Sequence, residues 1–266
     1  FQMLCPFLFF KILFKDKKMK KSKSVKGNVV VISFGESVKP VNLLVDFLVT
    51  IDTTPSMQYV QNQARQNATM LVKELIATFP KCRIGFIFNG DLSDDPVNRG
   101  DAYSIALLQP TDDLATIVRF IKETPSTHLA RGNAVYQEVL WQANNNVRWR
   151  DGASKVMIMI GDTSPNSVND RLNLIRRNAY TELAIAVRNE IKIYAIQCPT
   201  GTRDVKFWKA LASETGGHYL DLSQFHEVLD IINAACFNEA GAGVLKAFEE
   251  FLRKQHRYTR SVDLIF

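Results

Sequence analysis

The chain has 266 residues, 46% of them hydrophobic and 23% charged, enough for one α/β domain of about 200 residues with extensions. Its net charge of +6 is concentrated at one end: residues 1–26 carry eight lysines against Asp16 alone, so the other 240 residues sum to −1. A neutral body excludes an electrostatic nucleic-acid platform in the folded part, and four scattered cysteines without a CxxC pair exclude a disulfide framework.

In chain order, the apolar FQMLCPFLFFKILF is too short to span a bilayer, and its positive charges follow the apolar run, the reverse of a secretory signal. Two expectations stand for it. Either residues 1–18 lie outside the natural reading frame, with Met19 opening MKKSKSVKG, or the aromatic residues and lysines touch a membrane surface. The lysine-rich stretch to residue 27 reads as a disordered tail, residues 28–34 (NVVVISF) as an extra strand, and residues up to 40 as linker. The cysteine usage points to a reduced, cytoplasmic setting.

Residues 43–51 form a nearly unbroken apolar run, the pattern of a strand buried on both faces of a parallel sheet. The run stops on Asp52-Thr53-Thr54-Pro55-Ser56. A helix follows over 57–79, with Val60, Ala64, Ala68, Leu71, Val72, Leu75, Ile76 and Phe79 at spacings of three and four. RIGFIF (83–88) is a second buried strand closing on Asn89-Gly90-Asp91, residues 92–101 are a polar loop, and 103–108 a third strand. Thr111-Asp112-Asp113 caps a helix over 114–122.

After a break over 124–132, a helix is expected over 133–144, and KVMIMI (155–160) is an apolar strand ending on Gly161-Asp162. Residues 169–189 read as one helix. It carries Arg171, Arg176 and Arg177 on a solvated face, with a patch for an acidic partner as the alternative. KIYAI (192–196) is a strand, 205–213 a helix, Gly216-Gly217-His218 a turn into a short strand, and 225–236 and 244–254 are helices. This alternation predicts an α/β class: a doubly wound, mostly parallel central sheet with helices on both faces. The domain is expected over 41–236, with 237–266 a C-terminal helix and tail that breaks off on SVDLIF as though the chain continued.

The carboxyl end of a strand is where open α/β sheets bind ligands, and Asp52 to Ser56 sits there. A carboxylate with two hydroxyls at alternate positions and no adjacent histidine is a poor nucleophilic triad. It suits a hard divalent cation, because Mg²⁺ takes oxygen ligands and keeps some of its waters. An extended loop turns Asp52, Thr54 and Ser56 to one side. The alternative is that the hydroxyls cap the following helix.

This stretch resembles the metal-ion-dependent adhesion site of von Willebrand factor type A domains, D-x-[ST]-x-S at the end of the first strand. The resemblance covers about residues 41–236: RIGFIFNGD is similar to the family's second strand, KVMIMIGD to a later core strand, and KIYAI and GGHYLDL to the last two. It implies a non-catalytic adaptor module that holds Mg²⁺ or Mn²⁺ on Asp52, Thr54 and Ser56 and captures an acidic residue of a protein partner. The family's middle-loop ligand, a threonine or aspartate, falls here on Gly132 or Asn133. That is a departure from the pattern: Asn133 offers a carbonyl oxygen, and Thr127 is close in sequence. Asp162 reads either as a carboxylate accepting hydrogen bonds from metal-bound water or as the cap of the turn Thr163-Ser164-Pro165-Asn166.

A rival resemblance is to the D-x-T-x-T loop of haloacid-dehalogenase-type phosphotransferases, with Asp52 as nucleophile and Gly161-Asp162 as the later metal-holding pair. Against it, no second aspartate follows Asp52 by two residues, Pro55 stands where glycine would be typical, and no lysine is placed at a strand end between the motifs. His128, His218, His226 and His256 lack metal-ligand spacing, and Trp141, Trp149 and Trp208 read as packing residues.

Overall fold

The structure, a computed structural model, describes residues 43–94, 104–127, 133–199, 204–222, 228–254, 256–263 and 265. The tail, extra strand and linker expected before residue 41 therefore lie outside the described residues, as do Gly132, His128 and His226.

The chain runs β1 (Val45–Asp52), a 3-10 turn (Pro55–Met57), α1 (Gln58–Thr78), β2 (Arg83–Asn89), β3 (Ile105–Thr111) and α2 (Leu114–Glu123). It continues through β4 (Asn133–Ala134), α3 (Tyr136–Asn145), β5 (Ser154–Gly161), β6 (Ser164–Pro165), α4 (Ala179–Arg188) and β7 (Ile191–Gln197). Last come α5 (Val205–Thr215), β8 (Tyr219–Asp221), α6 (Val228–Ala240), α7 (Ala242–Lys254) and α8 (Arg260–Asp263). Six strands form one sheet in the order β3-β2-β1-β5-β7-β8, while β4 and β6 pair separately. All ladders of the main sheet are parallel except β2–β3. The antiparallel strand is an edge, where Pro110, which cannot donate to a ladder, is tolerated.

Every residue of β1 is buried, and alternation along it divides the core. Phe47, Val49 and Ile51 pack with α1, α2, α6 and α7, whereas Leu48 packs with α3, α4 and α5. Asp52 has the parity of Leu48 and so points to the α3 face. From β1 the chain steps to β2 on one side, and from β5 to β7 on the other. The order reverses between β1 and β5, and a crevice opens beyond their carboxyl ends. That reversal places the Asp52 loop beside Gly161-Asp162.

Several expected boundaries move. The helix expected from residue 133 begins at Tyr136, because Asn133 and Ala134 pair with Ser164 and Pro165. The larger correction concerns residues 169–189: only Ala179–Arg188 is helical. Asn173 donates to the Ser167 and Arg177 carbonyls and accepts from the Arg177 N–H. Asn178 accepts from the Tyr180 and Thr181 N–H groups, starting α4 there. Asparagine side chains that satisfy nearby backbone groups compete with the helix. Arg171, Arg176 and Arg177 therefore lie on a loop instead of a helix face. At the C-terminus, α7 buries Val244, Leu245, Phe248 and Leu252 in the same core as β1, with Phe248 edge-on to Phe237 at 4.7 Å.

At the amino end of β1, Asp46 is fully buried. Arg83 Nε donates to its Oδ1 at 3.1 Å, Arg150 Nε donates to Oδ1 at 2.8 Å, and the Arg150 backbone N–H donates to Oδ2 at 2.8 Å. Burial alone would raise this carboxyl, but the arginine hydrogen bonds outweigh it and hold the pKa below the usual carboxylate value. A depressed pKa gives stability that is present above the unfolded value and lost as pH falls through the folded one. Asp46→Ala, which leaves two arginines facing an empty buried site, is expected to cost about 3–5 kcal/mol in urea denaturation. Wild type is expected to lose its margin over that variant below about pH 4.

Candidate metal centre

Asp52, the last residue of β1, is fully buried. Its Oδ1 accepts from the Thr54 N–H at 2.8 Å and from Thr54 Oγ1 at 2.7 Å. Thr54 Oγ1 lies 3.3 Å from Ser56 Oγ. Three oxygens from alternate residues thus form a continuous row, with Thr54 buried and Ser56 exposed at its outer end. Thr53 points away: its hydroxyl donates to the Asn89 carbonyl at 3.0 Å.

The capping alternative does not describe this loop. Neither the 3-10 turn nor α1 receives a side-chain cap, and the Thr54 hydroxyl is spent on Asp52. The turn that Asp52 makes with the residue two ahead is itself a common device. Asp91 beyond β2 repeats it, accepting at Oδ1 from both the N–H and the hydroxyl of Ser93. What sets the β1 loop apart is the third oxygen of Ser56 and a second buried carboxylate, Asp162, whose negative charge is felt at Asp52.

Tyr136 was not among the candidates read from the sequence. This buried residue opens α3 and donates its hydroxyl to Asp52 Oδ2 at 2.7 Å, while accepting from the Asp162 N–H at 3.2 Å. It joins β1 to the β5 loop across the point where the strand order reverses. Gly161 makes the approach possible, since a Cβ there would lie 2.1 Å from the Tyr136 hydroxyl. Burial and the two carboxylates push the tyrosine pKa well up, so it stays a donor. A tyrosine at a helix start carries no spacing signal; the only hint was the glycine ending β5.

The remaining sequence candidates divide. Asn133 lies half-buried in β4 beside Ser164, which brings it to the Asp162 loop. Among the described residues, no hydrogen bond joins its side chain to Asp52, Thr54 or Ser56. Thr127 reaches the opposite side: its hydroxyl donates to the Thr53 carbonyl at 2.8 Å.

Burial is the main influence on Asp52 and pushes its pKa up to about 7. Hydrogen bonds from Thr54 and Tyr136 pull the other way, and the charge of Asp162 adds to the rise. No ion pair among the described residues reaches this carboxylate. A divalent ion fits the oxygens present. All three are hard donors, and the separations of 2.7 and 3.3 Å bracket the edge of about 3.0 Å between neighbouring ligands of an octahedral Mg²⁺. Among the described residues, no group of three or more His, Cys, Asp or Glu side chains could hold a metal.

A six-stranded, mostly parallel sheet with one antiparallel edge, helices on both faces and this crevice define a von Willebrand factor A-type α/β fold. Among solved structures, the chain resembles proximal thread matrix protein 1 from the mussel byssus, in a structure with a zinc-occupied MIDAS motif. The identity is 16% and the TM-score 0.56, over 75% of this chain and 46% of that one. It also resembles the pilus adhesin SpaC from Lactobacillus rhamnosus GG, at 14% identity and TM-score 0.55, over 77% of this chain and 30% of that one. A match to BatB from Bacteroides thetaiotaomicron has 14% identity and TM-score 0.49, over 74% and 98% of the two chains. No protein-family model and no curated protein matches the sequence.

The raised Asp52 pKa has a definite sign. The metal-free native state holds a proton that the unfolded chain releases near pH 4, so its stability falls as pH rises from about 4 to 7, by up to roughly 4 kcal/mol. In EDTA, wild type is expected to melt at lower temperature at pH 8 than at pH 5 relative to Asp52→Asn, which lacks the titrating group. Gly161→Ala is expected to destabilise by about 1–3 kcal/mol, read as a lower urea midpoint, because the Tyr136 ring must move.

Proposed function

We propose that the protein is a non-catalytic binding module that holds Mg²⁺ or Mn²⁺ on Asp52, Thr54 and Ser56 and captures an acidic residue of a protein partner on the ion. The observation that carries this reading is the buried Asp52 carboxylate, with no cation among the described residues and its Oδ1 in line with two hydroxyl oxygens. Asp162 would accept hydrogen bonds from ion-bound water, and Asn133 would complete the set from the neighbouring loop. The ion supplies positive charge in a partly dry site, where a partner's carboxylate is held more strongly than in water. The protein's own part is to position the donors. Thr54 fixes one oxygen of Asp52, Tyr136 fixes the other, and the sheet fixes both.

The zinc-occupied motif of the mussel thread protein is a precedent for a divalent ion on this fold. Against the phosphotransferase alternative, Thr54 stands two residues after Asp52 where that chemistry places a second aspartate, and Pro55 stands where glycine would be typical. The cysteine usage favours a cytoplasmic setting. Among the described residues Cys82, Cys198 and Cys236 are buried and outside any disulfide.

Calorimetric titration of Mg²⁺ and Mn²⁺ into wild type and Asp52→Ala tests the proposal. Saturable heats in wild type and none in the variant are expected. Apparent affinity in wild type should weaken about tenfold per pH unit below about pH 7, as protons compete for Asp52. Equal heats for the two proteins would leave the fold without an ion-binding role.

A further inference from the structure

We propose that the loop over residues 166–178 is a second contact for the same partner, and that it selects acidic segments carrying an apolar side chain near the ion-binding carboxylate. The inference rests on the divalent-ion reading of the β1 loop. Leu174 and Ile175 are 85% and 65% exposed, well above any other large hydrophobic residue described. Neither supports the core, so folding does not require them to be apolar. Exposed Arg171 and Arg176 flank them. Arg177 is tied inward, its Nε donating to Glu138 Oε1 at 2.7 Å and its guanidinium lying over the Trp141 ring.

The loop leaves the carboxyl edge of the sheet after Asp162 and β6, and it returns to that edge at the start of α4. Its first residues are pinned beside the candidate metal centre. The Asn166 N–H donates to Gln137 Oε1 at 3.2 Å, one residue from Tyr136, and also to the Ala134 carbonyl at 3.1 Å. The tip is held rigid. Asn173 ties Ser167 to Arg177. Arg176 sits at a φ of 52°, with Nη1 donating to the Val168 carbonyl and to Asn169 Oδ1. An apolar pair on a pinned loop whose base adjoins the candidate metal centre is a docking feature. The exposed arginines then decide the partner's character: they attract a segment carrying additional carboxylates and repel a basic one. Asp170 is the loop's single carboxylate.

The test uses the full chain and two short synthetic peptides with the same number of aspartates, one with interleaved leucines and one with serines in their place. In Mg²⁺ buffer, fluorescence anisotropy is expected to show binding of the leucine peptide and about tenfold weaker binding of the serine peptide. The double variant Leu174→Ser, Ile175→Ser should bind both peptides at the serine-peptide level, with an unchanged urea midpoint. Arg171→Ser should weaken binding and flatten its salt dependence. Equal affinities for the two peptides, an unaffected double variant, or no binding of either peptide would overturn the inference. Magnesium calorimetry on the same samples separates the two ideas. If the ion binds and neither peptide does, the ion reading stands and the loop proposal falls. If the leucine peptide binds equally well in EDTA through Leu174 and Ile175, the shared-site proposal falls, and the magnesium heats alone decide the ion reading.

Discussion

One buried carboxylate governs the upper end of this molecule. Asp52 ends a strand whose every residue is enclosed, and it is surrounded by donors but by no cation among the described residues. Taking a carboxylate out of water costs several kcal/mol unless charge is supplied nearby. The surroundings offer hydrogen bonds and a second carboxylate instead. Such an arrangement is costly as a purely structural device and reasonable as a receptor for a positive ion. The strand order, the turn into Pro55 and the tyrosine across the crevice all serve to keep that carboxylate in place.

The same strand holds the contrasting case. Asp46, six residues earlier and on the same face, is equally buried, yet two arginines and a backbone N–H neutralise it. One acidic residue is fully answered from within the protein and its pKa is held down. Among the described residues the other is answered only by neutral donors, and its pKa is pushed up. The difference lies in where each end of β1 sits. The amino end is bordered by β2 and by the segment before β5, both of which bring guanidinium groups. The carboxyl end opens on loops whose described residues bring hydroxyls, amides and another carboxylate.

The alternation of apolar strands and amphipathic helices was enough to read the sheet and its two covered faces, because burial on both sides leaves long apolar runs at β1, β2, β5 and β7. The row of oxygens on Asp52, Thr54 and Ser56 was legible too, since an extended loop brings alternate residues to one side whatever surrounds it. Tyr136 was not, because its role depends on a contact 84 residues away that a glycine permits. The stretch before α4 was misread as helix. Ile175, Ala179 and Leu183 keep helical spacing, while the bonds of Asn173 and Asn178 that oppose the helix are visible only in three dimensions. Asn133 sits where a ligand was looked for, but its orientation follows from a two-residue ladder with β6 that no local pattern announces.

Tyr136 also fixes how the upper loops relate mechanically. Its hydroxyl grips Asp52 on one strand and the Asp162 backbone on another, and the next residue, Gln137, holds Asn166. A pull on the Asp52 carboxylate is therefore delivered to α3 and, one residue further, to the base of the arginine-bearing loop. The two outer loops thus share one anchorage, at two adjacent residues of a single helix start.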